Sequence, residues 1–123
     1  MSPINFDILQ ADYPEHAAAW AALRAWFARN LRKRYIELTV LVRALKEQVD
    51  AVALIPALRL MIGRGMLAVA YRVKAPGGYL LEDEFDEPDK IPDELWDRDC
   101  SHKIPIKEGD LVSGYRWEPT DAA

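Results

Sequence analysis

The chain is 123 residues long, 50% hydrophobic and 29% charged, with one cysteine and a formal net charge of -4. That length suits one ordinary domain, which removes roughly two-thirds of its unfolded surface from water and so builds a core without disulfides or metal. Collagen, a disulfide scaffold and wholesale disorder are excluded, because apolar content is too high and cysteine too scarce.

Residues 1–16 carry no basic start followed by a long apolar stretch, so they do not read as a secretory signal. Asp12-Tyr13-Pro14 then predicts a helix start, with Asp12 as cap, Pro14 preset for the first turn and Glu15 suited to the positive helix end. The predicted helix covers 14–30. Trp20, Leu23, Phe27 and Leu31 recur every three or four residues and make a core stripe, while Arg24 and Arg29 fall outside it. Helical spacing of large apolar side chains explains that stripe as packing without a ligand.

Residues 31–50 predict a short strand at Tyr35-Ile36-Glu37-Leu38. A short helix follows, capped by Thr39, with Leu41, Val42 and Leu45 toward the core. Asp50 next precedes an apolar run, and Gly63-Arg64-Gly65 follows it, which gives a cap, a third helix and a glycine stop in order. Pro56 stands against a straight helix because it removes a hydrogen bond and clashes with the preceding turn, at a cost of ~3 kcal/mol. This apolar run, residues 51–58, is far shorter than the ~20 residues a membrane span needs.

Residues 66–73 predict a strand, Lys74-Ala75-Pro76-Gly77-Gly78 a turn, and 79–85 a returning strand, together a hairpin. Residues 87–102 form an acidic surface connector containing Pro88 and Pro92, with a turn of helix near 93–96. A second hairpin is expected over 103–118, its turn at Glu108-Gly109-Asp110 and Pro105 on an edge strand.

Helix, short strand, helix, turn, helix and hairpin is the order of a winged helix-turn-helix domain, which the chain resembles over residues 15–86. The residues that carry the resemblance run from Asp50, opening the third helix, through Gly65-Met66-Leu67, leading into the wing. In some bacterial winged-helix proteins the wing tip carries a cysteine pair that joins a second pair in a zinc ribbon. The segments Ala75-Pro76-Gly77-Gly78, Asp89-Lys90-Ile91-Pro92 and Asp99-Cys100-Ser101-His102 resemble such a ribbon without its cysteines. Tetrahedral zinc needs four ligands and only Cys100 and His102 are close, so no metal is expected. Trp96, Ile104, Ile106 and Trp117 are expected to replace it by packing. The expected fold is thus α+β: a winged helix of three helices and a hairpin wing over 14–86, then the connector and an additional C-terminal hairpin, all in one domain.

No cofactor is implied and no enzyme is expected. Cys100 and His102 lack an oxyanion donor or a third orienting group, and His16 reads as structural. The acidic run is solvated, whereas acid-base chemistry needs a desolvated carboxyl. Gly63-Arg64-Gly65 and Gly77-Gly78 match neither phosphate-binding fingerprint.

Charge is divided along the chain: residues 1–74 hold 11 Lys and Arg against 6 Asp and Glu, and residues 75–123 hold 5 against 14. A nucleic-acid surface would therefore use Arg43, Lys46, Arg59 and Arg64, with Arg32, Lys33 and Arg34 adding phosphate contacts. The third helix offers few groups that read base edges, since Ala51, Val52, Ala53, Pro56 and Ala57 make no side-chain hydrogen bonds. Glu82, Asp83, Glu84 and Asp86 give the wing the wrong sign for phosphate. The expectation is a cytoplasmic, bacterial-type adaptor or regulatory subunit. It binds another protein, or a second copy of itself, through the winged-helix surface. A DNA-binding transcriptional regulator is the alternative. The single cysteine fits a reducing compartment.

Overall fold

A computed structural model describes residues 3–97 and 102–118. Its described part is α+β: four α-helices and five strands, with three strands in one sheet and two in another. The chain divides into two compact units. One takes in the chain up to Ala68 together with the stretch from Tyr115, and the other is Val69–Gly114.

The first unit is helical. Helix α1 (Phe6–Asp12) opens at Asn5, whose side-chain oxygen accepts the amide of Ile8 at 3.2 Å. This helix precedes the predicted start at Asp12, and the expected helix begins instead as a 3-10 turn, Pro14–His16, that leads into α2 (Ala17–Arg29). Asp12 caps nothing there; its carboxylate accepts from Arg64 at 2.7 Å. In α2, Trp20, Leu23 and Phe27 are buried as the spacing requires, and so is Trp26. Leu31 lies beyond the helix end and is 52% exposed.

Strand β1 (Tyr35–Glu37) and helix α3 (Leu38–Leu45) follow as predicted, except for the cap. Glu37 is the N-cap residue, and the Thr39 hydroxyl donates to its carboxylate at 2.8 Å. Helix α4 (Ala51–Gly63) is the predicted third helix and fourth in the chain. Asp50 accepts the amide of Ala53 at 2.9 Å, satisfying one of the orphan donors of the first turn. Pro56 sits inside the helix, which extends on both sides of it. At the far end Gly65 takes a φ of 72°. Its amide bonds to Ile62 O and that of Met66 to Met61 O, so orphan carbonyls of the last turn are paired. Helix α2 packs on α1, α3 and α4. The core of this unit runs from Leu9 through Leu23, Leu41 and Leu58 to Tyr115 and Trp117.

In the second unit, strand β2 (Ala68–Val73) leads to the predicted turn, but 79–85 does not return as a regular strand. Isolated bridges pair Lys74 with Leu80 and Tyr71 with Phe85. The register slips by two residues between those bridges, as a bulge on the acidic side requires. Arg72 enters that gap, its Nε and Nη2 donating to Leu81 O at 2.8 and 2.6 Å. The predicted hairpin is thus interrupted, because a side chain supplies donors where a ladder amide would stand.

The C-terminal hairpin also differs. Strand β4 (His102–Pro105) pairs antiparallel with β3 (Glu94–Asp97), where the connector was expected to turn as helix. Strand β5 (Leu111–Arg116) is instead the middle strand of the order β1-β5-β2. Between β4 and β5 the Glu-Gly-Asp segment makes a 3-10 turn, Glu108–Asp110, and not a hairpin tip. Leu95 and Ile104, opposite one another, join Val73, Ala75 and Leu81 in a second small core. Ile106 packs on it as expected, whereas Trp96 is exposed and Trp117 belongs to the core of the first unit.

Candidate functional site

The seven cationic candidates of the first unit are all exposed, and local structure separates them. Arg64 at the end of α4 is held by Asp12 and lies 6.0 Å from the Tyr13 ring centroid. These acceptors raise its pKa, chiefly through Tyr13 and then Asp12. Arg34 turns back on its own loop, donating to Leu31 O and Lys33 O, while Lys33 reaches over the Trp26 ring. Arg59 acts electrostatically on Tyr115: burial raises the phenol pKa and the Arg59 charge works against it.

Arg43 and Lys46 stand together. Both line a groove of about 500 Å³ whose walls also include Leu38, Thr39 and Val42 of α3 and Ile55 of α4. Helix α3 explains this placement. Leu41 and Leu45 point into the core, so Leu38 and Val42 lie one step round the helix, half-buried, and Arg43 and Lys46 a further step toward solvent. The cations also occupy the last turn and C-cap, where the negative end of the helix favours them. Among the described residues neither has an ion-pair partner. Glu37 lies at the opposite end of α3, where its carboxylate accepts from the Thr39 hydroxyl.

Beside the groove, the outward stripe of α4 carries Val52, Ala53, Pro56, Arg59 and Gly63, with Val52 84% exposed. Arg59 is the one side chain of that stripe that can donate a hydrogen bond. Val40 of α3 is also exposed. The cations Arg43 and Lys46 were legible in the sequence as charges. The apolar floor was not, because Leu38 and Val42 meet Ile55 only when two helices pack.

Other depressions of this unit lie on α2. One, of about 460 Å³, lies on an alanine face of α2 at Ala21, Ala25 and Ala28, and a smaller one of about 160 Å³ lies near Phe27 and Trp117. Both include Arg24, whose Nη2 is bound by Asp7 at 2.6 Å. His16 packs edge-on to Trp20 at 6.0 Å, which gives it a structural place. Cys100 lies outside the described residues, as does the side chain of His102. Among the described residues no three His, Cys, Asp or Glu side chains converge on a metal position, and no helix is long and apolar enough to cross a membrane.

In the second unit Glu82, Asp83, Glu84 and Asp86 are exposed, as expected of a solvated acidic face. On β3, Leu95 points inward while Trp96, paired with Lys103, points outward and is 54% exposed. Comparison with protein-family models, with curated proteins and with solved structures finds no match for this chain.

Proposed function

We propose that the protein is a non-catalytic adaptor or regulatory subunit, built on a winged-helix frame, that binds another protein through the α3–α4 face. Helix α2, strand β1, helices α3 and α4 and strand β2 follow one another in the order of such a frame, which supports that reading of the fold. The observation that carries the function is the groove: an apolar floor of Leu38, Val42 and Ile55 beside two cations without ion-pair partners among the described residues. Burial of such a floor supplies affinity, while the charged rim selects orientation. The adjoining stripe of α4 presents methyl groups and a proline where a base-reading helix would present amides and guanidinium groups.

The test is a polarisation assay with mixed-sequence duplex DNA at low salt, run beside co-purification from the native host. The adaptor reading expects no duplex binding at tens of micromolar protein. It also expects a discrete protein partner that is lost from the Arg43→Glu, Lys46→Glu double variant. Salt-dependent duplex binding that the same variant abolishes would overturn it in favour of a transcriptional regulator.

A further inference from the structure

The groove has a complement on the same chain. Residues 82–99 contain ten acidic residues against two basic ones. Within that stretch β3 exposes Trp96, the one exposed aromatic among the large hydrophobic side chains at the surface of the described residues. The inward face of the strand is already used: Leu95 packs with Ile104 in the second core. Nothing in that packing requires an aromatic on the outward face, where Trp96 stands opposite Lys103. A large exposed indole on a two-stranded sheet, with Glu94 two residues before it on the same face and Lys103 opposite, has the character of an interface anchor.

We propose that the α3–α4 groove receives the β3 face of a second copy of this chain. Trp96 seats on Leu38, Val42 and Ile55, and the acidic residues around it, Asp93 and Glu94 first, meet Arg43 and Lys46. The inference rests on the reading of the groove as a protein-docking surface and names its occupant. The groove, about 500 Å³ and open to solvent, admits an indole laid on its apolar floor. Charge complementarity is direct, since the groove rim carries two cations and the strand that presents Trp96 begins at Glu94 and follows Asp93. Each copy owns both a groove and a Trp96, so every copy carries both halves of the contact.

Sedimentation velocity on the full chain at rising concentration tests this. The expected result is reversible, concentration-dependent self-association that weakens at least tenfold between low and high salt. Trp96→Ala and the Arg43→Glu, Lys46→Glu pair, all at exposed positions, should each weaken it at least tenfold while leaving the urea midpoint in place. The decisive arm mixes those two variants. One supplies an intact Trp96 and the other an intact groove, so the mixture regains association that neither variant shows alone. A chain that stays monomeric to millimolar concentration overturns the proposal, as does a dimer indifferent to both substitutions or a mixture that fails to complement. A monomer that still captures a foreign partner through Arg43 and Lys46 removes the second copy as occupant and leaves the adaptor reading standing.

Discussion

The rings of Phe27 and Trp117 meet edge-on, their centroids 4.8 Å apart at 79°. Trp26 completes the cluster from the next position of α2, at 5.8 Å from Trp117. The Trp117 amide donates to Arg34 O at 3.2 Å, which fixes the backbone as well as the ring. A tail residue thus closes the core that α2 opens, and burial of one indole there is a large share of the stability of a small domain.

Trp117→Ala should accordingly destabilise the protein by about 3–5 kcal/mol, the usual range for deleting a buried large aromatic. Trp117→Phe keeps an edge-to-face ring and should recover a substantial part of that loss. Urea denaturation followed by far-ultraviolet circular dichroism gives both values. The exposed Trp96 is the control, because an outward side chain on β3 leaves the midpoint within about 0.5 kcal/mol when truncated.

Two glycines two positions apart should respond with opposite sign. Gly65 has a φ of 72°, a left-handed conformation that ends α4 and that an alanine adopts only at a cost of about 1–2 kcal/mol. Gly63 is the last residue of α4, has ordinary helical φ, and has open space where a Cβ would stand. Gly63→Ala should therefore stabilise by up to about 1 kcal/mol, through helix propensity and a stiffer unfolded chain. Equal effects from the two substitutions would contradict the helix end described here.

Those local signals explain which parts of the fold could be read in advance. Asp50, the apolar run and Gly65 each act within a few residues, so cap, helix and stop were all legible. Strand pairing is not local. Glu108-Gly109-Asp110 has the composition of a hairpin tip, yet β4 finds its partner in β3 and β5 goes to the other sheet. Turn chemistry says where a chain bends and not which strand it meets. The Arg72 guanidinium on Leu81 O likewise interrupts a hairpin whose turn residues were legible. The groove was half legible for a similar reason: Arg43 and Lys46 show as charges on one helix, while its floor exists only between two. Helix α1 left a signal that was there to be used, with Asn5 as cap and Phe6, Leu9 and Tyr13 at helical spacing.

Pro56 offers a gain. It occupies the sixth position of α4, where its missing N–H deprives the Val52 carbonyl of its intrahelical donor. The residue is exposed, so no packing compensates for that loss. Pro56→Ala should raise stability by about 1–3 kcal/mol, read from the urea midpoint. Asp50→Ala at the start of the same helix should lower it by about 1 kcal/mol, and Asp50→Asn, which keeps the acceptor for Ala53, should nearly preserve it. A neutral Pro56→Ala would show that the proline clash is relieved by local backbone adjustment.

Tyr115 makes stability depend on alkaline pH. Burial disfavours its phenolate and raises its pKa above the usual tyrosine value; the nearby Arg59 charge opposes the shift without reversing it. The unfolded chain releases this proton near pH 10, whereas the folded chain holds it to higher pH. The contribution of the neutral phenol is therefore complete below about pH 10 and is lost as pH rises toward the folded value, by no more than about 1.4 kcal/mol per pH unit for one proton. Tyr115→Phe cannot ionise and should flatten that part of the decline. Arg59→Ala removes the opposing charge and should move the ionisation of Tyr115 higher still. Absorbance titration of tyrosinate at 295 nm, run on the native protein and both variants, should show one component above the ordinary range that disappears in Tyr115→Phe and shifts upward in Arg59→Ala. If Tyr115→Phe removes only a component of ordinary pKa and Arg59→Ala shifts nothing, burial does not hold the Tyr115 proton.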